Sequence, residues 1–439
     1  MLDIAFIRAH TDRVKEVCRQ KNNPVDIDQL LRIDEERRTV LHEYEDIRAQ
    51  KSAFSKELPT LPANEKKSRI ADMQQVAARE HDLETKLSEL GSQFEDLLFA
   101  VPNMPSDDTP VGKDDSENAV LRSWGEKPSF SFKPKEHWEL GAALDVIDTP
   151  RATKVSGARF AYLKGDLALL EFALIRYAMD VLSNQETLSA IAKKFKLDVP
   201  TTPFIPVIPP VLIKPDAFKR MARLEPREER YHIPSDDLYL IGSAEHTLGA
   251  MHMDETLNES QLPLRYAGFS VSLRREAGSY GKDTKGILRL HQFDKVEMES
   301  FTVGEASVHE QDFFVAIQEY LMQSLGIPYQ VIIACTGDMG DPDARHIDIE
   351  SWMPGQDRYR ETHSADLITD YQARRWKTKV KRASGAKEFV HMNDGTAFAI
   401  GRTLIAIMEN NQQADGSFRI PEILVPYMNG KTEVSHTKK

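Results

Sequence analysis

Leu-Arg-Arg-Glu-Ala-Gly-Ser-Tyr-Gly-Lys-Asp-Thr-Lys-Gly-Ile-Leu-Arg-Leu-His-Gln-Phe, residues 273–293, packs five Arg or Lys and three Gly into a chain whose formal charge is −12. An apolar run, Phe269 to Leu273, leads into it, and a second, Ile287 to Leu290, precedes His291-Gln292-Phe293. That order predicts a β-hairpin with a long Gly-rich basic loop. A phosphate-cradling Gly-x-x-x-x-Gly-Lys-Ser/Thr loop is not supplied by Gly278 to Asp283, so the P-loop class is excluded. Arg274, at the end of the first strand, has the planar fork of donors that meets a phosphate, and Phe293 has a ring face for a base. On the residues alone an Arg on a strand is more often a salt-bridge partner, and a Phe more often core.

Working outward, the rest of the chain alternates helical stretches such as 166–183 with short β-rich runs: Phe204–Ile213, Leu238–Ile241, Gly268–Leu273, Tyr329–Ala334 and His346–Trp352. No regular βα repeat and no Gly-x-Gly-x-x-Gly follows a first strand, which argues against a doubly wound parallel sheet. An α+β domain, an antiparallel sheet flanked by helices, fits better.

The N-terminal part has a different period. Leu30, Ile33, Arg37, Val40, Tyr44, Ile47, Lys51, Phe54 and Leu58 alternate at steps of three and four, as do Met73, Val76, Glu80, Leu83, Leu87, Leu90, Phe94, Leu97 and Val101. Two prolines in Leu58-Pro-Thr-Leu-Pro-Ala-Asn64 break the pattern between them. The prediction is an antiparallel coiled-coil hairpin that projects as an arm. Its tip is basic: Arg48, Lys51, Lys56, Lys66, Lys67 and Arg69 stand against Glu57 and Glu65. Such a tip is either a solvated end or a contact for a phosphate backbone. The Pro- and Asp-rich segment 102–136 reads as a connector, dividing the chain into an arm, 1–110, and a second domain, 111–439.

Composition narrows the classes further. With 41% hydrophobic residues the 439-residue chain has material for a core, and its first residues lack the basic start and apolar run of a signal peptide. No run approaches the ~18 apolar residues of a membrane span, so a cytoplasmic protein without membrane contact is expected. Cys18 and Cys335 give no disulfide framework and no Cys-x-x-Cys spacing, so structural zinc is not expected. His246, His252 and Asp254 lack a thiolate partner and are interrupted by Gly249, and Asp338, Asp341 and Asp343 lack the terminal Glu of a calcium loop. The latter three read as a solvated loop.

Taken together, the arm, the connector Val101–Asp114, Arg159–Asp166, Ile208-Pro-Pro210, the stretch 273–293 and Ala399–Asn410 resemble the seryl-tRNA synthetases of the common bacterial type, which are class II aminoacyl-tRNA synthetases. The likeness runs over nearly the whole chain. Ile208-Pro-Pro210 is similar to motif 1, 273–293 to motif 2 and Ala399–Asn410 to motif 3. The resemblance implies a catalytic trio of Arg274, Glu361 and Arg402. It implies ATP binding by Arg274, Arg275, Glu276, Phe293, Glu361, Thr362, His363, Ser364 and Arg402, with Phe293 and Arg402 on the two faces of adenine. Glu361 and Ser364 are implied to hold Mg²⁺ through ATP, and hard oxygen ligands suit that ion. L-Serine would be bound by Ser243, Ala244, Glu245, Glu297, Asp394 and Thr396, with Glu245 on the ammonium and Glu297 on the hydroxyl. The arm tip would bind tRNA(Ser), and tRNA(Sec) where present, and Lys282 to Lys285 would meet the acceptor end. Motif 1 would build a homodimer.

The chain departs from the pattern in places. Ser243 replaces a Thr, Thr396 a Ser and Asp394 an Asn, Ala365-Asp366-Leu367 replaces Cys-Ser-Asn, and residues 222–233 replace a Gly-rich loop. These mark a divergent branch. An amino acid:carrier-protein ligase would lack the arm, and a non-catalytic RNA-binding paralogue would have lost Arg274, Glu361 or Arg402.

Overall fold

The computed structural model describes residues 1–277, 283 and 285–436, apart from the side chains of residues 63 and 64. Lys282, named above for the tRNA acceptor end, lies outside the described residues. The chain divides into two compact units between Pro102 and Asn103.

In the first unit, Ile27–Glu57 and Ala63–Ala100 are long antiparallel-paired helices. Each is roughly 45–57 Å long at 1.5 Å per residue. The 3–4 seam closes on Ile33, Val40, Leu83 and Leu90, with Tyr44, Ile47, Leu87, Phe94 and Leu97 packed beside them. Its polar members are paired too. The Arg37 guanidinium lies 4.5 Å from the Phe94 ring centroid, and Lys51 pairs with Glu80. Pro59 is accommodated in a single 3-10 turn, Leu58–Thr60. Two short helices, Ile4–Ala9 and Thr11–Gln20, precede the hairpin, the first capped by Asp3, whose carboxylate accepts from Ala5 N at 2.8 Å.

The second unit is built on eight strands: β1 (Ala119–Trp124), β2 (Ile205–Val207), β3 (Leu264–Leu273), β4 (Gln292–Thr302), β5 (Tyr329–Ile333), β6 (Arg345–Met353), β7 (Arg358–Thr369) and β8 (His391–Ala399). Their order is β1-β5-β6-β7-β8-β4-β3-β2, antiparallel throughout except that β2 runs parallel to β3. Side chains alternate across the sheet. Val296, Met298, Ile347, Ile349 and Ala365 enter a large apolar core with the helices Gly165–Leu182, Ser307–Ser324 and Ile400–Asn410. The intervening positions of the same strands, Lys295, Glu297, Glu299, His346, Asp348, Ser364 and Asp366, are polar. A polar floor is thus built into the sheet.

Three sequence expectations need correction. Ile287–Leu290 is turn and bend rather than strand, because Gly286 takes a left-handed conformation (φ +69°) and Ile287 N–H donates to His137 instead of a ladder partner. Phe204–Ile213 splits into Ile205–Val207 and Leu212–Ile213, since prolines 209 and 210 cannot donate to a ladder. Asp343 is not part of a solvated loop. It is buried, and its carboxylate accepts from Gly340 N at 2.8 Å and from Arg223 Nη2 at 3.1 Å.

Candidate active site

Pairing between β7 and β8 ends at Ala365↔Gly395. The carbonyls just beyond, Ser364 O and Thr396 O, are taken by Gln318 Nε2 from the helix Ser307–Ser324, at 2.6 and 2.9 Å. This keeps two splayed strands in place without a ladder. Over the polar floor lies a cavity of about 380 Å³.

One end of the cavity collects the residues read as nucleotide-binding. Arg274, Glu276, Phe293, Glu361, Thr362, Ser364 and Arg402 line it, together with Ile287 and Arg289. Arg274 Nε donates to Gly242 O at 3.1 Å, and its guanidinium lies 5.5 Å from the Phe293 ring centroid. Arg402 Nη1 donates to Glu361 O at 2.9 Å and pairs with Glu361 Oε2 at 3.1 Å. Enclosure works against the charge on Glu361, but Arg402, with His346 and Arg274, overrules it and holds the carboxyl at about 2. Glu276, at φ +53°, accepts from Arg289 Nη1 at 2.5 Å. Arg275 turns elsewhere, its guanidinium 5.9 Å from the Tyr231 ring. His363 is buried under the cavity wall, where burial pushes its imidazole down to about 3 and Thr362 Oγ1 lies 2.9 Å from Nδ1.

The other end is a buried hydroxyl-carboxylate cluster. Glu297, fully buried, accepts at Oε1 from Ser243 Oγ at 3.0 Å and Thr396 Oγ1 at 3.1 Å, and pairs with Lys295. Its Oε2 is buried without a hydrogen-bond partner. Burial pushes the Lys295 ammonium down to about 8. Glu245 lines the cavity beside His246 Nε2 (3.5 Å) and Arg223 Nε (3.8 Å). Burial opposes its charge, yet these neighbours and Lys295 hold its carboxyl well below the usual range. Burial keeps His246 neutral, at about 4, so Nε2–H donates toward Glu245 while Nδ1 accepts from Gly242 N at 3.1 Å. Ala244 lies behind this wall in the core, and Asp394 is buried in the floor.

Sequence reasoning passed over several lining residues: Arg223, Arg230, Arg289, Lys295, His346 and Asp348. His346 and Asp348 had a signal, since they interrupt an apolar strand at every second position. Asp343, His346 and Asp366 bring ligand atoms within 4.8 Å of one another, one metal-type cluster among the described residues. Arg223 donates to both aspartates, at 3.1 and 3.3 Å, and His346 pairs with Asp366 and, at 2.8 Å, with Asp348.

The geometry can be set beside known proteins. The seryl-tRNA synthetase N-terminal domain model matches residues 1–105, and the class II core domain model for the Gly, His, Pro, Ser and Thr synthetases matches 229–411. A serine–tRNA ligase of Syntrophobacter fumaroxidans is 38% identical over 98% of both chains. The chain belongs to the seryl-tRNA synthetase family. A second relative, the serine–tRNA ligase of Thermotoga petrophila, is 40% identical over 97% of this chain and 98% of its own. Among solved structures, the Pyrococcus horikoshii seryl-tRNA synthetase complexed with ATP superposes with a TM-score of 0.89 at 35% identity, covering both chains fully. The Naegleria fowleri cytoplasmic enzyme in complex with AMP gives 0.82 at 29%, over 97% and 96%. The helical hairpin lies within the part matched by the family's N-terminal model, and most of the eight-stranded sheet within the part matched by the class II core model.

Proposed function

We propose that the chain activates L-serine with ATP and transfers the seryl group to tRNA(Ser), and to tRNA(Sec) where one is present. The observation that carries this reading is one cavity in which Arg274, Phe293, Glu361 and Arg402 stand at one end and Glu245 and Thr396, backed by Glu297, at the other. In the first step a serine carboxylate oxygen attacks the α-phosphorus, and pyrophosphate leaves. In the second, a ribose hydroxyl of the terminal adenosine attacks the seryl carbonyl, and AMP leaves. No side chain forms a covalent bond. Arg274 neutralises charge on the α-phosphate, Phe293 and Arg402 fix the adenine, and Glu245 holds the ammonium, so that catalysis is positioning plus charge stabilisation.

The donor set of Glu361, ionised by Arg402, and the Ser364 hydroxyl suits Mg²⁺, a hard ion. Bound with ATP it would reduce the repulsion between phosphate and incoming carboxylate. The basic tip residues Arg48, Lys51, Lys56, Lys66, Lys67 and Arg69 are the proposed tRNA contacts, and the assignment of the first unit to tRNA and the second to catalysis goes with them. Around motif 1, Ile205, Ile208, Val211 and Leu212 are exposed, Ile208 by 87%, which supports pairing of two copies there. No helix of the described residues is long and apolar enough to cross a membrane, and a cytoplasmic site of action is proposed.

ATP–pyrophosphate exchange measured across the amino acids tests the reading. Serine should support the fastest exchange. No exchange with serine, or faster exchange with threonine or alanine, would overturn it.

A further inference from the structure

Residues 286–290 end the loop of the motif 2 hairpin, and Ile287, Leu288, Arg289 and Leu290 line the cavity proposed above for ATP. Leu288 also lines a second space of about 400 Å³ behind them, together with His137, Asp283 and Lys285. This short segment is therefore a wall between two open spaces. Ile287 is buried in the main core, with Leu288 and Leu290 packed against it, and a polar anchor adds to that packing. Ile287 N–H donates to His137 Nε2 at 3.1 Å in a buried bond. Since Nε2 accepts, the proton of the imidazole is on Nδ1, which faces Glu409 Oε1 at 3.2 Å. The same carboxylate oxygen accepts from His137 N at 3.0 Å, and Glu409 Oε2 accepts from Gly355 N at 2.9 Å. Both side chains are almost fully buried.

Fit is tight as well as bonded. A Cβ at Gly286 would come within 2.0 Å of His137 Nε2, and one at Gly401 within 3.4 Å of Ile287 O. Glu409 sits on the helix Ile400–Asn410, seven residues from Arg402. Seven residues are about two turns, so both project from one face of that helix. One helix thus carries Arg402 at the cavity and, through Glu409 and His137, anchors the wall formed by 286–290.

We infer that His137, oriented by Glu409, is a positioning residue of the adenylation reaction. It sets the distance between the end of the motif 2 loop and the helix bearing Arg402, and hence the width of the nucleotide end of the cavity. The inference rests on the ATP-binding reading above. Serine-dependent exchange by the unaltered protein tests that reading separately.

The experiment is a double-mutant cycle in full-length protein, with KM for ATP, KM for serine and the thermal midpoint as readouts. His137→Ala leaves a buried N–H without a partner, which should raise KM for ATP about 10- to 100-fold. KM for serine should stay within about twofold, because the anchor faces only the nucleotide end. His137→Gln, whose amide oxygen can accept from Ile287, should recover most of the loss. Gly286→Ala should raise KM for ATP in the unaltered background, and by less in the His137→Ala background, where the colliding ring is gone. If His137→Ala does not fold, His137→Leu, which fills the space but cannot accept from Ile287 N, takes its place in the cycle and in the four comparisons below. Four results would each refute the inference. They are an unchanged KM for ATP in His137→Ala, parallel shifts in both KM values, a Gln variant no better than the Ala one, or an equal Gly286→Ala effect in both backgrounds.

Discussion

Replacing Glu297 by Gln tests the amino-acid end of the cavity at its most exposed assumption. Oε1 of this fully buried carboxylate is occupied by Ser243, Thr396 and Lys295, while Oε2 has no partner. A substrate hydroxyl donating to that free oxygen would make a hydrogen bond to a charged acceptor, worth about 1.5–3 kcal/mol. Converted at 1.4 kcal/mol per decade, its loss lowers kcat/KM for serine about 10- to 150-fold. Alanine has no hydroxyl and gains nothing from Glu297, so the serine-to-alanine ratio should fall by the same factor. KM for ATP should not move. The substitution also strips Lys295 of its partner, and breaking a buried pair costs about 3–5 kcal/mol of stability. Exchange must therefore be measured well below the variant's thermal midpoint. Pyrophosphate exchange with both amino acids reads the effect. An unchanged serine-to-alanine ratio in folded protein would remove Glu297 from the specificity site.

Arg402→Lys keeps the charge but loses the flat face and the fork that reaches both Glu361 O and Oε2. KM for ATP should rise about tenfold or more by the hydrogen-bond magnitudes above, and a KM within twofold of the starting value would rule out the adenine contact. At the arm tip, Lys56, Lys66 and Lys67 changed together to Glu should weaken aminoacylation of serine tRNA, and flatten its salt dependence, while exchange without tRNA is untouched. Equal losses in both assays would place the tip outside tRNA recognition. His363 supplies a pH signature. Its folded pKa, about 3, lies below its ordinary value, so between pH 6.5 and about 3 the unfolded chain binds a proton that the folded one refuses. Stability therefore falls with acidification by up to about 1.4 kcal/mol per pH unit from this group. His363→Gln should be shallower by that slope in urea titrations between pH 6 and 4, and parallel curves would contradict a neutral buried imidazole.

What could be read ahead of the structure follows from range along the chain. The hairpin seam is a local 3–4 repeat, and Ile33, Val40, Leu83 and Leu90 pack as the spacing demands. The residues read for nucleotide binding also lie in short stretches, and Arg274, Glu276, Phe293, Glu361, Thr362, Ser364 and Arg402 line one cavity. His346 and Asp348 interrupt an apolar strand, but that His346 meets Asp366 depends on the sheet register, and Arg223 reaches Asp366 from a loop distant in sequence. Arg289 lies inside the stretch 273–293, where the apolar run Ile287–Leu290 predicts a strand. Its role at Glu276 depends on the turn that Gly286 and His137 impose. The helix Ile4–Ala9 is too short to show a period, and a single cap at Asp3 sets where it begins, whereas Thr11–Gln20 carries a local signal in Val14, Val17 and Cys18, which it buries at steps of three and one.

Two of the departures from the family pattern, Asp394 and Asp366, fall on one line of the sheet. Glu299, Asp394, Asp366 and His346 stand opposite one another on β4, β8, β7 and β6. Like charges in register repel, and here they are also buried. Burial, then Glu245 and Asp366, push the Glu299 carboxyl well up, and burial with Glu245, Asp366 and Glu299 does the same for Asp394. Asp366 stays ionised against burial because His346 and Arg223 flank it. A neutral Asp394 offers one O–H donor and one carbonyl acceptor, the same pair of functions as the amide of the Asn found at that position in the family. The substitution is therefore chemically mild at neutral pH, and Asp394→Asn should leave kcat/KM for serine within about threefold, well under the loss expected for a missing charged hydrogen bond. A drop beyond tenfold in pyrophosphate exchange would mean that the carboxylate form is the working one, and that the row carries a full negative charge into the serine pocket.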